Sequence, residues 1–179
     1  MELLSGKPLS RHLASAAGQG LPGTRIAAIL KGICSALSYA HQNGVVHSDL
    51  KPGNIFIIDD GAVKLIDFGL ATAGTAGGFD ISTLGGMTAV YASPEMFTEA
   101  PRDPRDDVFA LGCIAYQLMT GTHPFSMKAS NEAAELKLEP APVADLDPAA
   151  WSALRGALNF DRESRTKSVD EFFNGIFES

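Results

Sequence analysis

Asp49, Asn54 and Asp67 are the residues of this sequence whose types and spacing could do chemistry together. They lie in the run Val45 to Ala71, V-V-H-S-D-L-K-P-G-N-I-F-I-I-D-D-G-A-V-K-L-I-D-F-G-L-A. An amide oxygen and a carboxylate held on a rigid scaffold suit a Mg²⁺ that also binds phosphate oxygens, since that ion prefers hard oxygen ligands. Asp49 stands five residues before Asn54, free to accept a proton. The chemistry implied is phosphoryl transfer.

Such a site needs a scaffold that brings Asn54 to Asp67. Asn54–Ile58 and Val63–Ile66 read as short apolar strands joined by Asp59-Asp60-Gly61. Asp-Gly between apolar runs signals a hairpin, because the turn needs positive φ. The hairpin places the residue before its first strand beside the residue after its second. Around it the helical period dominates. A short helix spans Ser10–Ala17. Thr24 is placed to cap a helix carrying Ile26, Ile29, Leu30, Ile33 and Leu37 on one face, and Gly44 ends it. Arg105 to Thr120 is apolar on nearly all sides, which predicts burial all round, and Gly121 stops it. Asp147-Pro148 opens a helix through Leu158, and Ser168-Val169-Asp170-Glu171 forms a capping box ahead of Phe172, Phe173 and Ile176. The predicted fold class is α+β, mostly helical with a small β-hairpin at the active-site face.

At these residues the chain resembles the eukaryotic-type serine/threonine protein kinases, and in particular their large C-terminal lobe. The family's H-R-D-L-K-P-x-N loop stands here as His47-Ser48-Asp49-Leu50-Lys51-Pro52-Gly53-Asn54. Its D-F-G follows as Asp67-Phe68-Gly69, thirteen residues after Asn54. The resemblance implies that Asp49 orients and deprotonates a substrate hydroxyl, that Asn54 and Asp67 hold Mg²⁺, and that Lys51 lies against the γ-phosphate of ATP. It further implies adenine contacts from the backbone around Glu2 and Leu4, with Phe56 beneath the ring. His47 is expected to stack on Phe68, and Thr88 to contact Asp49 and Lys51. Downstream, Thr88-Ala89-Val90-Tyr91-Ala92-Ser93-Pro94-Glu95 is similar to T-P-x-Y-x-A-P-E, with Ser93 where the family has Ala. Asp107-Val108-Phe109-Ala110-Leu111-Gly112 is similar to D-x-W-x-x-G, and Arg165 falls where the family pairs an Arg with the A-P-E Glu, here Glu95. Glu95, Asp107 and Arg165 are expected to serve architecture. The partners implied are MgATP and a protein bearing Ser or Thr.

The resemblance covers essentially the whole chain, yet begins partway through the family fold. Residues 1–6 resemble the hinge between lobes and 7–179 the large lobe, while the small N-terminal lobe is absent from this chain and expected in a longer polypeptide. The family's Gly-rich strand pair, its phosphate-gripping Lys and the Glu paired with that Lys have no match here. Without them the chain alone is expected to be inactive, because charge stabilisation and water exclusion are lost together. Gly18-Gln19-Gly20-Leu21-Pro22-Gly23 matches G-x-G-x-x-G, but it follows a helix, carries a Pro and precedes no Lys strand, so it reads as a connecting loop. Ser48 replaces the family Arg that pairs with a phosphorylated activation loop. That replacement weakens any case for control through Thr75, Ser82 or Thr83 in the Gly-rich segment Thr72–Met87.

Composition closes off other classes. Net charge is −7, with no Lys/Arg cluster, which argues against nucleic acid or an anionic membrane as partner. The most apolar stretch, Phe109 to Met119, is too short to span a bilayer, and the amino end shows no secretory signal. Cys34 and Cys113 lack metal spacing and sit in helical patterns. They read as buried reduced thiols of a cytoplasmic protein with access to ATP. His12, His41 and His123 are isolated and read as solvated or capping. A pseudokinase-like scaffold that docks proteins without chemistry is the alternative, as is phosphoryl transfer to a small molecule. Retention of Asp49, Lys51, Asn54 and Asp67 together favours an enzyme, and the A-P-E-type segment favours a peptide substrate.

Overall fold

The computed structural model describes residues 5–16, 18–68 and 89–178. In chain order its elements are β1 (Gly6–Pro8), α1 (Leu9–Ser15), α2 (Gly23–Gln42), β2 (Ile55–Ile58), β3 (Val63–Leu65), α3 (Pro104–Thr120), α4 (Ser130–Glu135), α5 (Pro148–Ala157) and α6 (Val169–Phe177). Helix α3 is the axis of the core. Asp103 caps it through a reciprocal box with Asp106, and Pro104 stands where a missing N–H is not needed. From Val108 through Tyr116 every α3 side chain is buried, as its all-round apolarity predicts. Ile29, Leu30, Ile33 and Leu37 of α2, Leu154 of α5 and Phe172 of α6 close on it in one continuous core. Phe109 stacks with Phe125 and meets Phe160 beneath it.

The sheet is antiparallel, in the order β1-β2-β3. Ile57 pairs with Val63 across the predicted hairpin. Gly61 supplies the positive φ of the turn, at 87°, and Ala62 N–H is capped by Asp60 Oδ1. The sheet rests on α2 through a close approach at Gly32, where a Cβ would come within 2.7 Å of the Val63 side chain. Any side chain there would push the hairpin off its support.

Several local expectations need correction. Strand β1 was not foreseen: Lys7 pairs with Ile57 and adds a third strand to the hairpin. Helix α1 starts at Leu9, fully buried, and ends at Ser15, two residues short of the predicted end. Thr24 does not cap α2. Pro22 O accepts from both Arg25 N–H and Ile26 N–H, so the first turn closes ahead of Thr24. At α6, Ser168 Oγ accepts from Glu171 N–H as predicted, but Glu171 reaches back to Lys167 N–H. Cys34 and Cys113 are buried free thiols. Burial pushes the Cys34 thiol up to about 12, which keeps it protonated and inert.

Candidate active site

Three long-range anchors fix the loop between α2 and β2. The first is Asp107, 1% exposed at the start of α3. Its Oδ2 accepts His47 N–H at 2.8 Å and its Oδ1 accepts Ser48 N–H at 3.0 Å. His41 Nε2 adds a third bond to Oδ2, also 2.8 Å. These bonds hold Ser48 at φ 62°, a left-handed conformation that costs energy in a non-glycine residue. The reversal turns the next residue, Asp49, away from the core, where it is half-buried.

The second anchor is His47, fully buried. Its Nδ1 accepts from Asp49 N–H at 3.3 Å, which leaves Nε2–H to donate to Ile66 O at 3.1 Å. Its ring lies 4.4 Å from that of Phe68, tilted by 45°, as the resemblance implied. One neutral imidazole thereby ties the Asp49 loop to both residues flanking Asp67. The third anchor is backbone pairing: Ile66 N–H donates to Asn54 O at 2.9 Å and extends the hairpin ladder past β3. Asp67 follows at φ 56° and is exposed.

Around Asp49 the polar groups are mutually committed. Lys51 Nζ lies 2.8 Å from Asp49 Oδ2 and 3.1 Å from Oδ1. Asn54 is buried, and its Nδ2 donates both to Asp49 O at 2.9 Å and to Asp49 Oδ2 at 3.0 Å. With both amide hydrogens spent, the group Asn54 has left is Oδ1, an acceptor. One residue past the Ile66–Asn54 backbone bond comes the exposed Asp67, with its carboxylate. Both remaining groups are oxygens, a donor set that suits a hard divalent cation. The predicted residues Asp49, Lys51 and Asn54 are bonded together, and Asp67 stands one residue beyond Ile66, whose N–H meets Asn54 O. Phe56 is half-buried on β2. Glu2, Leu4, Gly69 and Thr88, and the hydroxyls of Thr75, Ser82 and Thr83, lie outside the described residues. Among the described residues no cluster of three or more His, Cys, Asp or Glu could hold a metal.

Glu95 and Arg165 pair as expected. Arg165 Nη2 donates to both Glu95 oxygens, at 3.1 and 3.0 Å, and Arg165 is 2% exposed. Ser93, the departure from the A-P-E pattern, is fully buried and donates to Asp106 Oδ1 at 2.7 Å. The substitution thus ties the segment to the N-terminus of α3.

Of the solvated and capping readings His123 takes the capping one, and His41 is neither, being bonded to Asp107. His123 is 7% exposed; its Nε2–H donates to Val90 O, and its Nδ1 accepts from Phe125 N–H and Met127 N–H. Burial lowers its pKa to about 4. His41 was the positioning residue missed. It continues the Ile33–Leu37 row at the next i+4 position, which was the available signal that it faces the core.

A family model described as the protein kinase domain matches residues 1–174. The chain is 42% identical over 126 residues to the serine/threonine-protein kinase PknL of Mycobacterium tuberculosis, covering 70% of this chain and 31% of that protein. It is 32% identical over 156 residues to a probable serine/threonine-protein kinase PknB of Bifidobacterium longum, covering 83% and 23%. It is 38% identical over 128 residues to PknB of Mycobacterium tuberculosis, covering 70% and 20%. The chain thus spans a third or less of the length of the curated relatives it matches. With the H-x-D-L-K-P-x-N loop, Asp67-Phe68 at the strand end and the Glu95–Arg165 pair in one fold, the chain belongs to the protein kinase domain family.

Proposed function

We propose that this chain carries the phosphoryl-transfer centre of a serine/threonine protein kinase, passing the γ-phosphate of ATP to Ser or Thr hydroxyls of a protein. The observation that carries the reading is the bonding around Asp49: Asn54 and Lys51 both grip its carboxylate, His47 Nδ1 accepts its N–H, and Asp107 fixes the backbone of the preceding residue, Ser48. A carboxylate held this firmly has one orientation in which to accept a hydroxyl proton, and that positioning is what general-base work requires. A solvated loop Asp would not need three partners.

Each remaining residue then has a task. Asn54 Oδ1 and the Asp67 carboxylate are the groups that would hold Mg²⁺. The ion, when bound, neutralises charge on the phosphate oxygens. Lys51 balances the carboxylate of Asp49 and would meet the γ-phosphate with the same ammonium. Phe56 would pack beneath the adenine, and the backbone at Glu2 and Leu4 would meet its edge, with residues 1–6 as hinge and 7–179 as large lobe. The covering lobe would come from sequence outside these residues. The location consistent with this chemistry is the cytoplasm; among the described residues no helix is long and apolar enough to cross a membrane.

The test is transfer from γ-labelled ATP to a peptide library containing Ser, Thr and Tyr, using the full polypeptide that carries this chain. Phosphoserine and phosphothreonine are the expected products. Lys51, two residues after Asp49, would neutralise γ-phosphate charge when a short hydroxyl is held close, whereas a phenol sets its oxygen several ångströms further from the backbone. Predominant phosphotyrosine would refute the specificity.

A further inference from the structure

A cavity of about 440 Å³ opens between the sheet, α1 and α2, lined by Lys7, His12, Arg25, Ile29, Ile57 and Asp59 among others. It lies behind the sheet. The register sets Lys7 opposite Ile57 and Ile57 opposite Val63, so these three side chains share the face that rests on α2. Phe56, one residue along, points to the opposite face. The cavity is thus separate from the surface assigned to adenine.

Its positive charges outnumber its carboxylates among the described residues. Arg25 Nη2 donates to His12 Nδ1 at 2.8 Å. A guanidinium only donates, so Nδ1 is the acceptor and the ring proton sits on Nε2. Burial, then Arg25 and Lys7, hold His12 below the ordinary histidine range, so it remains a neutral acceptor. The imidazole therefore orients the guanidinium without cancelling its charge. Among the described residues neither Lys7 nor Arg25 has a carboxylate partner. Asp59 lines the same cavity, so among the described lining residues two cations face one carboxylate. This occurs on a chain of net charge −7, so it is local design and not general basicity. The floor beneath is aliphatic, from Ile29 and Ile57.

We propose that this cavity docks an acidic–aliphatic segment of the protein substrate, with a carboxylate on the Arg25 fork beside Lys7 and an aliphatic side chain on the Ile29–Ile57 floor. A planar guanidinium matches a carboxylate with two parallel bonds, and the aliphatic floor gives the neighbouring residue area to bury. Two cations are too few for a nucleic-acid backbone, which demands an extended basic track. Identifying the partner as a substrate rests on the phosphoryl-transfer reading; the binding itself does not.

The test separates the two. Fluorescence anisotropy on the full polypeptide, without nucleotide, uses the labelled peptide Gly-Glu-Ile-Glu-Leu-Gly. The same peptide with Gln for Glu, or Ser for Ile and Leu, should bind at least about tenfold more weakly. The double variant Lys7→Glu with Arg25→Glu should lose the acidic peptide by a similar factor and gain the version with Lys for Glu. Both side chains are exposed, and an unchanged thermal midpoint confirms that the fold is kept. Equal binding of the Glu and Gln peptides, or an unaffected double variant, would overturn the proposal. So would displacement by inorganic phosphate as effective as by unlabelled acidic peptide, which would mark a free-oxyanion site. Grafting the acidic peptide onto a Ser substrate should lower KM and leave kcat unchanged in wild type alone. Peptide binding with no phosphoryl transfer to any substrate would keep the docking site and refute the kinase reading.

Discussion

Removing Arg165 should cost more stability than any other single truncation outside the aliphatic core. Its side chain donates five ways: Nε to Asn159 O, Nη1 to Arg105 O, and Nη2 to Phe160 O and both Glu95 oxygens. Its guanidinium also lies 5.2 Å from the centre of the Phe109 ring. Among the described residues Arg165→Ala leaves Glu95 with Arg162 Nε at 3.9 Å, and it takes the guanidinium donor from three carbonyls. Breaking a buried pair from one side costs about 3–5 kcal/mol. A domain has only about 5–15 kcal/mol in total, so Arg165→Ala should be marginally folded. With a urea slope of about 2 kcal/mol per M, the midpoint should fall by about 2 M. Trp151, the single tryptophan, reports the transition by fluorescence. Arg165→Lys keeps the charge but not the planar fork, and should fall between wild type and Ala. A loss below about 1 kcal/mol for Arg165→Ala would refute the reasoning, because values of that size belong to exposed pairs.

His123 is held neutral in the fold, with its pKa lowered from 6.5 to about 4. The unfolded chain therefore binds the extra proton between those values. Stability should be undiminished above pH 6.5, fall as pH drops below it by about 3 kcal/mol in all, and level off near pH 4, which urea titrations across that range would follow; His123→Gln should flatten the fall. Ser93→Ala removes a buried donor from Asp106, which keeps Arg162 Nη2 at 3.0 Å and Asp103 N–H at 3.1 Å. That loss should cost about 1.5 kcal/mol by calorimetry, and no change would show that Arg162 and the Asp103 N–H satisfy the carboxylate without Ser93.

Local signals carried well into three dimensions. The Asp-Gly hairpin, the all-round apolar helix before Gly121 and the Pro148 helix start all depend on neighbours within a few residues, and each forms where its residues predict. Strand β1 escaped because Gly6-Lys7-Pro8 has no alternation and contains a proline; it is a strand only because Ile57 lies beside it. Thr24 had the chemistry of a cap, but Pro22 O closed the turn first. The site residues were legible as a motif, while what holds them was not. Asp107 reaches back across 60 residues to His47 N–H, and Ser48 adopts positive φ under that constraint. Contacts made between a side chain and a distant backbone leave no period in the sequence.

The most direct test of the central claim is single-turnover transfer from γ-labelled ATP by the full polypeptide carrying Asp49→Asn. Asn preserves the shape of the side chain but cannot take up the hydroxyl proton. Nucleotide affinity should be unchanged while transfer falls at least about a hundredfold, the lower end of what general-base catalysis contributes. Transfer at the wild-type rate with Asn at position 49 would contradict the account.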